Sequence, residues 1–447
     1  MRPNINRYQT VLLILFYALV LNACKVDPIE DPNNPNGNTI GENATIGEIQ
    51  NLATGTESAM RDNLNNYYDD VGVIGREIYR FSASDPRFTT ELLGKGNAVL
   101  DSNTFYITNP YGARYRTIRN ANILIDALTN TKAVANGTIT EEQRKAGIAY
   151  AKTIQAHELL SVLNLLYNNG VRVDVKDPDK LGPILNRQQG LDAILNLLNE
   201  ANADLKDKSA DLPFNTLLSF LDPPSRKASD FSKFNRALAA RVAVYKEDWA
   251  TANTALNESF LSLTGDLKMG VYYRYSVAGN DQLNTVFFPL NSSGEVRLAH
   301  PSYVTDATTG DLRLSKASKR TAPESLDGLT SNYDLNIYKT NVDPIPIIRN
   351  EELILLIAEV KAQLGTTTEA VAAINRIRNA AGIGNYTGAT DKQSLITEIL
   401  KQRRYSLFGE GHRWIDMRRY NLLSQLPIDR TGDDVWVQFP IPANEPR

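Results

Sequence analysis

"NEELILLIAEVKAQLGTTTEAVAAINRIRNAAG", Asn350 to Gly382, reads as two helices joined by a very short turn. Leu353, Leu356, Ile357, Val360 and Leu364 recur at helical spacing on one face of the first helix, and Gly365 is its expected stop. The second opens on Thr366 with Glu369 three residues later, the pattern of a capping box. Together they span about 33 residues, the size of a tetratricopeptide-type hairpin. A hairpin of this kind cannot bury its apolar face alone, so several are expected to stack.

The neighbours lie upstream, although no strict repeat is visible. "TIGEIQNLATGTESAMRDNL" begins with a capping box, Thr45 to Glu48, and Ile46, Ile49, Leu52 and Ala53 follow at helical spacing. "YGARYRTIRNANILIDAL", "TEEQRKAGIAYAKTIQAHELLSVLNLLYNNG" and "GLDAILNLLNEANADLKD" read as further helices, the second ending near Gly170. "SKFNRALAARVAVYKEDWATANTALNESF" reads as a helix, a tight turn near Lys246–Asp248 and another helix. From Leu261 to Ile348 the texture changes. Gly, Ser, Asn, Thr and aromatics alternate without a 3.6 period, which predicts short strands and loops. So long an irregular stretch in a compact protein points to a functional surface. Downstream, "DKQSLITEILKQRRYSLFGEGHRWIDMRRY" is a helix broken near Gly409 and Gly411, and "VWVQFPIPANE" closes in extended form. The predicted fold is therefore mainly α: a tetratricopeptide-like scaffold of helical hairpins with a loop-rich, short-strand insertion.

The other end carries an address. Arg2 and Arg7 precede the apolar run "VLLILFYALVLNA", Val11 to Ala23, which is too short to span a bilayer, a task for about 20 residues. It reads as a secretory signal over residues 1–23. Cys24, the only cysteine of the 447 residues, follows it directly, and "LNAC" resembles a bacterial lipobox. The implied processing is lipid attachment to the Cys24 thiol and cleavage before it. Several acyl chains give a durable membrane anchor, where one would be marginal. Residues 24–44, rich in Pro, Asn, Gly and acids, read as a tether. Two regions follow, a helical one over 45–260 and a second over 261–447; the latter divides into the irregular segment 261–348, helices over 349–420 and the tail 421–447.

Composition narrows the function. A net charge of −3 gives no global attraction for nucleic acid. One cysteine cannot form an internal disulfide, and the three scattered histidines offer no Cys/His zinc spacing. P-loop, dinucleotide and Gly-x-Ser-x-Gly fingerprints are absent, so no cofactor and no metal is expected.

The C-terminal residues resemble the SusD/RagB family of outer-membrane nutrient-binding lipoproteins. In that family paired arginines lead into a Glu-Gly-x-Arg-Trp-x-Asp-hydrophobic-Arg-Arg run, which here stands as Arg403, Arg404, then Glu410, Gly411, Arg413, Trp414, Asp416, Met417, Arg418 and Arg419. "DPIPIIRNEELILLIAEVKAQLG", "AVAAINRIRNAAG", "YRTIRNANILID", "ALAARVAVYKEDWATA" and "FPIPANE" are similar too, in the family's order. Gln402 and Ser406 depart from it, standing where glutamates are usual. The resemblance implies a protein that captures an oligosaccharide, or in some members a peptide, and acts as the lid of a SusC-type TonB-dependent transporter. It implies a place on the cell outer membrane, surface exposed, with Asp27, Glu30 and Asp31 after the lipidated cysteine as the export signal.

Within "EGHRWIDMRR", Glu410 and Asp416 have the look of a catalytic pair, but the arginines around them point to ion pairing, which lowers a carboxyl pKa and suits structure. Trp414 is expected in the core, Trp249 in a packing role, and Asp69 and Asp70 at a solvated helix end. Sugar binding needs an aromatic face for the C–H side of a ring and fixed polar groups for its hydroxyls. Two stretches hold that mixture. "GREIYRFSASDPRF" offers Arg76, Tyr79, Arg80, Phe81 and Arg87; "GVYYRYSVAGNDQ" offers Tyr272, Tyr273, Tyr275 and Asn280. Alternation in a half-buried strand explains the same tyrosines. In a strand Tyr273 and Tyr275 share one face and Tyr272 takes the other with Arg274, so the Tyr273/Tyr275 face is the preferred ligand side. A scaffold lipoprotein would need only helical grooves, and a surface glycosidase would need a better carboxylate pair.

Overall fold

The computed structural model of the protein describes residues 43–279 and 281–446. The readings of the signal, the lipidated Cys24, nearly all of the tether, and Asn280 lie outside the described residues. Ala44, at the tether's far end, is already core: it is buried, and its carbonyl accepts a hydrogen bond from Thr131 at 2.7 Å.

Helix α1 (Ile46–Ala59) starts as its sequence predicts. The Glu48 carboxylate accepts from the Thr45 N–H at 2.8 Å, and the Thr45 hydroxyl accepts from the Glu48 N–H at 3.3 Å. Then come α2 (Leu64–Ile74), α3 (Phe105–Asn130), α4 (Glu141–Leu166), α5 (Arg187–Leu205), α6 (Ala228–Tyr245) and α7 (Trp249–Glu258). Each of α3 to α7 packs on the one before it in a continuing ladder, as stacked hairpins should, with α1 and α2 against α3. Gly170, after α4, has φ +83°, and a Cβ there would fall 2.1 Å from the Leu185 carbonyl oxygen, so only glycine fits.

The hairpin of α9 (Asn350–Gln363) and α10 (Thr367–Ala380) joins the ladder through contacts of α9 with α6 and α7. Leu353, Leu356, Ile357 and Val360 are buried as the periodicity requires. Leu364 is not: it is the residue after the last helical turn and is 47% exposed. The second capping box does not form either. The Thr366 hydroxyl donates back to the Lys361 carbonyl at 3.2 Å, which leaves Glu369 free to pair with Lys361 at 2.8 Å. Helices α11 (Lys392–Ser406) and α12 (Arg413–Arg419) are separated by Gly409 and Gly411, at φ +72° and +80°, the break read from the sequence.

The irregular segment resolves into short strands, loops and a single-turn helix α8 (Pro301–Thr305). Strands β1 (Ile78–Ser82), β5 (Glu295–Ala299), β6 (Ala317–Leu326) and β7 (Leu329–Leu335) form an antiparallel sheet in the order β1-β5-β7-β6. The β6–β7 turn is Asp327-Gly328, both at positive φ, the two-residue hairpin chemistry that twisted strands favour. A second sheet pairs β4 (Gly270–Tyr273) with β8 (Ile345–Arg349), its register shifting between Val271 and Tyr272. The remaining pair, β2 (Val171–Arg172) and β3 (Ile184–Leu185), lies beside α4 and α5. Among the described residues no helix is long and apolar enough to cross a membrane.

Asp69 and Asp70 correct the sequence reading, since both are buried. Asp69 clamps Arg297 of β5 through two hydrogen bonds of 2.5 and 2.8 Å. Among the described residues Asp70 has no hydrogen-bond partner, and burial, with Asp69 beside it, raises its carboxyl well above the usual range.

Candidate functional site

The first aromatic stretch becomes β1 and the turn after it, and most of it faces inward. Arg76 is 1% exposed and donates to the backbone carbonyls of Pro427 at 3.1 Å and Asp434 at 2.6 Å. Tyr79 and Phe81 are buried and stack on each other with centroids 5.6 Å apart; Tyr79 also meets His300 at 4.9 Å. Arg80 is held by Glu295 at 2.6 Å and lies between the rings of Phe88 and Phe288. These four take packing and ion-pair roles in the structure: Arg76 is buried just ahead of β1, and all five residues of β1 are buried. Only Arg87 keeps partial exposure, paired with Asp85 at 2.6 Å and lying over Phe105.

The second stretch divides differently from the expectation. Tyr273 is 4% exposed and its hydroxyl hydrogen-bonds His157 Nε2 at 2.6 Å. Tyr275 is half-buried under the Arg61 guanidinium, itself paired with Asp281 at 2.7 Å. Tyr273 therefore faces the core, while Tyr275 lies beyond the end of β4 and is covered only in part. Tyr272, on the other side, is half-buried and forms the wall between two open grooves.

The larger groove, of about 620 Å³, runs between Tyr272 and Tyr338, with Lys268, Asn336, Lys339 and Asp343 along it. Its rim is braced. The Asp343 carboxylate accepts from the Lys339 N–H at 2.6 Å and the Thr340 hydroxyl at 2.7 Å, and Asn284 donates to the Asp343 carbonyl at 2.8 Å. Tyr338 is 7% exposed, yet its hydroxyl has no partner among the described residues. Burial raises that phenol well above its ordinary range, so it stays a neutral donor and acceptor. A buried hydroxyl without a partner is costly unless something else satisfies it. The smaller groove, of about 230 Å³, lies on the far side of Tyr272 beside Arg61, Arg274 and Asp281. The sequence reading missed Tyr338, Asn336 and Lys339. "LNIYKTN", Leu335 to Asn341, carries the same aromatic-polar mixture that marked the other two stretches.

Arg349, Glu351 and Glu410, the first residue of the motif run, also line the larger groove. Arg349 pairs with Glu410 at 2.6 Å and with Glu351, and donates to the Ser406 carbonyl at 2.7 Å. Burial alone would raise Glu351, but Arg349 outweighs it and holds the carboxyl at about 2. Asp416 is paired with Arg403 at 2.6 Å and Arg419 at 2.9 Å, which overcome its burial and keep it below the usual range. Asp416 is therefore not placed as a glycosidase acid, which needs a raised pKa, and Glu410 is engaged by Arg349. Trp414 is fully buried and donates to the Trp436 carbonyl at 2.8 Å, as expected for a core residue. Gln402 and Ser406 accept from Arg313 at 2.7 and 3.0 Å, so the departures from the family pattern keep a polar network, with neutral partners in place of acids.

A mainly helical ladder bearing a loop-and-strand face is the SusD-like architecture. Residues 326–435 match the model of the SusD family. The chain is 24% identical over 417 residues to SusD-like protein P38 of Formosa agariphila, covering 79% of this chain and 81% of that one. A SusD superfamily protein from Bacteroides vulgatus shares the fold with a TM-score of 0.65 at 16% identity, covering 89% of this chain and 96% of the other. Surface glycan-binding protein A from Bacteroides thetaiotaomicron, solved in complex with laminarihexaose, gives 0.65 at 14% identity over the same shares. The chain thus shares the SusD-like fold, and its residues 326–435 are similar to the SusD family.

Proposed function

We propose that this protein is a non-enzymatic, carbohydrate-binding lipoprotein that holds an oligosaccharide in the groove beside Tyr272. The observation that carries the reading is that groove: an aromatic wall, a buried Tyr338 hydroxyl without a partner among the described residues, and a braced rim bearing Asn336, Lys339 and Lys268. A sugar ring offers an apolar C–H face to such a wall and hydroxyls to such a rim. The fold shared with a glycan-binding protein solved with laminarihexaose supports the class of ligand. Lipid attachment at Cys24 would hold the protein at the outer face of the outer membrane. It would deliver the ligand to a SusC-type TonB-dependent transporter.

The test is calorimetry of the full chain in mild detergent against a panel of oligosaccharides, with unrelated peptides as the second arm. A glycan bound by wild type and weakened by Tyr272→Ala supports the reading. Peptide binding without glycan binding makes this a peptide-capturing member of the family. Release of reducing sugar from the bound glycan would overturn the non-enzymatic part. For delivery, a tagged chain at native expression should recover a β-barrel transporter; repeated recovery of the protein alone would count against it.

A further inference from the structure

The paired arginines and the motif run place four guanidinium groups on α11 and α12 whose partners are plain. Arg403 is fixed to Asp416 and Arg419 to Glu359 and Asp416. Arg418 donates to the carbonyls of Val437 and Asn164 at 2.8 and 2.7 Å. Arg404 pairs with Asp306 at 2.9 Å. Arg413 breaks the pattern. Among the described residues it has no hydrogen bond and no ion pair, and its Nε is buried without a partner. It lines a groove of about 460 Å³ between α11 and α12, away from Tyr272.

The charge of that groove is unbalanced. Lys401, Arg404 and Arg413 line it against one acid, Asp306, which Arg404 already holds. Arg404 also bears on Arg413 as a like charge. From the inner side comes Glu77, but it is 2% exposed and burial raises its carboxyl to about 8, against the pull of Arg413, so at neutral pH it is mostly protonated. Tyr420 adds ring surface to the same groove, and the buried Tyr405 lies at its lining. The Tyr420 hydroxyl is turned away to Glu359 at 2.7 Å, which leaves the ring as an apolar wall. A guanidinium presents a planar fork of donors that matches two oxygens of a carboxylate or sulfate, and such charge-assisted bonds are the strong ones.

We infer that the groove between α11 and α12 binds an oxyanion, gripped by Arg413 with Arg404 and Lys401 and flanked by Tyr405 and Tyr420. The oxyanion stands independently of the Tyr272 groove. That it is the acid group of a sugar rests on the carbohydrate reading above, and a free inorganic oxyanion is the other source of the same chemistry.

The experiment is titration of the full chain in mild detergent with methyl β-D-glucuronide, methyl β-D-glucoside and sodium sulfate at one low ionic strength. Wild type should bind the glucuronide at least about 10-fold more tightly than the neutral glucoside, from the worth of a hydrogen bond to a charged group. Sulfate binding without glucuronide binding keeps the oxyanion site and makes the free ion its ligand. Arg413→Gln should weaken the bound probe by about 10-fold or more, and Arg413→Lys should restore part of it, the charge without the fork. If Arg413→Gln does not fold, Lys401→Ala and Arg404→Gln decide, each expected to weaken the probe about 3-fold or more. Tyr272→Ala should leave anion binding unchanged. Equal affinity for glucuronide and glucoside with no sulfate binding, no binding at all, or wild-type anion affinity in a folded Arg413→Gln would each overturn the inference. So would loss of anion binding in a folded Tyr272→Ala.

Discussion

Tyr272 and Tyr273 are adjacent in β4 and should fail in opposite ways when cut back to alanine. Tyr273 is 4% exposed and its hydroxyl is held by a buried His157. Removing a buried aromatic ring costs about 3–5 kcal/mol, and orphaning its hydrogen-bond partner adds about 1–3 kcal/mol where nothing relaxes. His157 cannot recover that cost by ionising, because burial and the nearby Arg241 and Arg114 hold its pKa at about 3. Tyr273→Phe isolates the second contribution, as it keeps the ring and leaves His157 Nε2 bare. Tyr272 stands at the groove wall, so its loss removes a stacking face with little packing: about 1–2 kcal/mol of binding, or 5- to 30-fold in affinity. The assay is chemical denaturation of wild type and the three variants beside calorimetric titration with the ligand found in the panel. Tyr273→Ala should be sharply destabilised, Tyr273→Phe intermediate, and Tyr272→Ala near wild type in stability but weak in binding. A Tyr272→Ala protein that denatures as early as Tyr273→Ala, or a Tyr273→Ala protein as stable as wild type, would refute the assignment of faces.

Asp69→Asn leaves Arg297 buried without its counter-charge and should cost about 3–5 kcal/mol of stability, measured by the same denaturation. Glu77 is raised in the folded protein from 4.5 to about 8, so its contribution is fully present below pH 4.5 and is lost as pH rises toward 8. Glu77→Gln should therefore flatten the decline of stability between those values, and an unchanged pH profile would show that Glu77 is not its source. Cys24→Ala should leave the protein unlipidated and absent from the membrane fraction, and quantitative partition with membranes would exclude anchoring at that residue.

The helical scaffold was readable because its signals are local. Thr45 with Glu48 and the Leu353–Val360 stripe are patterns within two turns of chain, and the structure keeps them. Thr366 had the same local pattern as Thr45, but Lys361 competes for both its hydroxyl and Glu369. The site was harder to read because burial of an alternating segment depends on what covers it. β1 is covered on both faces, which no periodicity in residues 78–82 announces. The alternation assumed for residues 272–275 does not hold throughout, because β4 ends at Tyr273 and its register shifts between Val271 and Tyr272. Asp69 had the look of a solvated acid because its partner, Arg297, is 228 residues away. Tyr338 sits in the same aromatic-polar mixture as the other two stretches, but only its packed environment makes its hydroxyl conspicuous.

The strand order β1-β5-β7-β6 also governs how the chain can be made. The partner of β1 lies far downstream: the Arg80–Glu295 pair closes a separation of 215 residues. While α3 to α7 emerge and find their sequential neighbours, β1 has an open edge with nothing to pair, and open edges recruit other chains. A chain halted before Glu295 would display that edge indefinitely, with Tyr79 and Phe81 beside it. If the protein is exported through the envelope as an unfolded thread, its helical half emerges first and the exposed strand has to be shielded until β5 arrives. Truncations ending in the irregular segment should therefore aggregate through β1, and a soluble N-terminal fragment will need that strand removed or its edge charged.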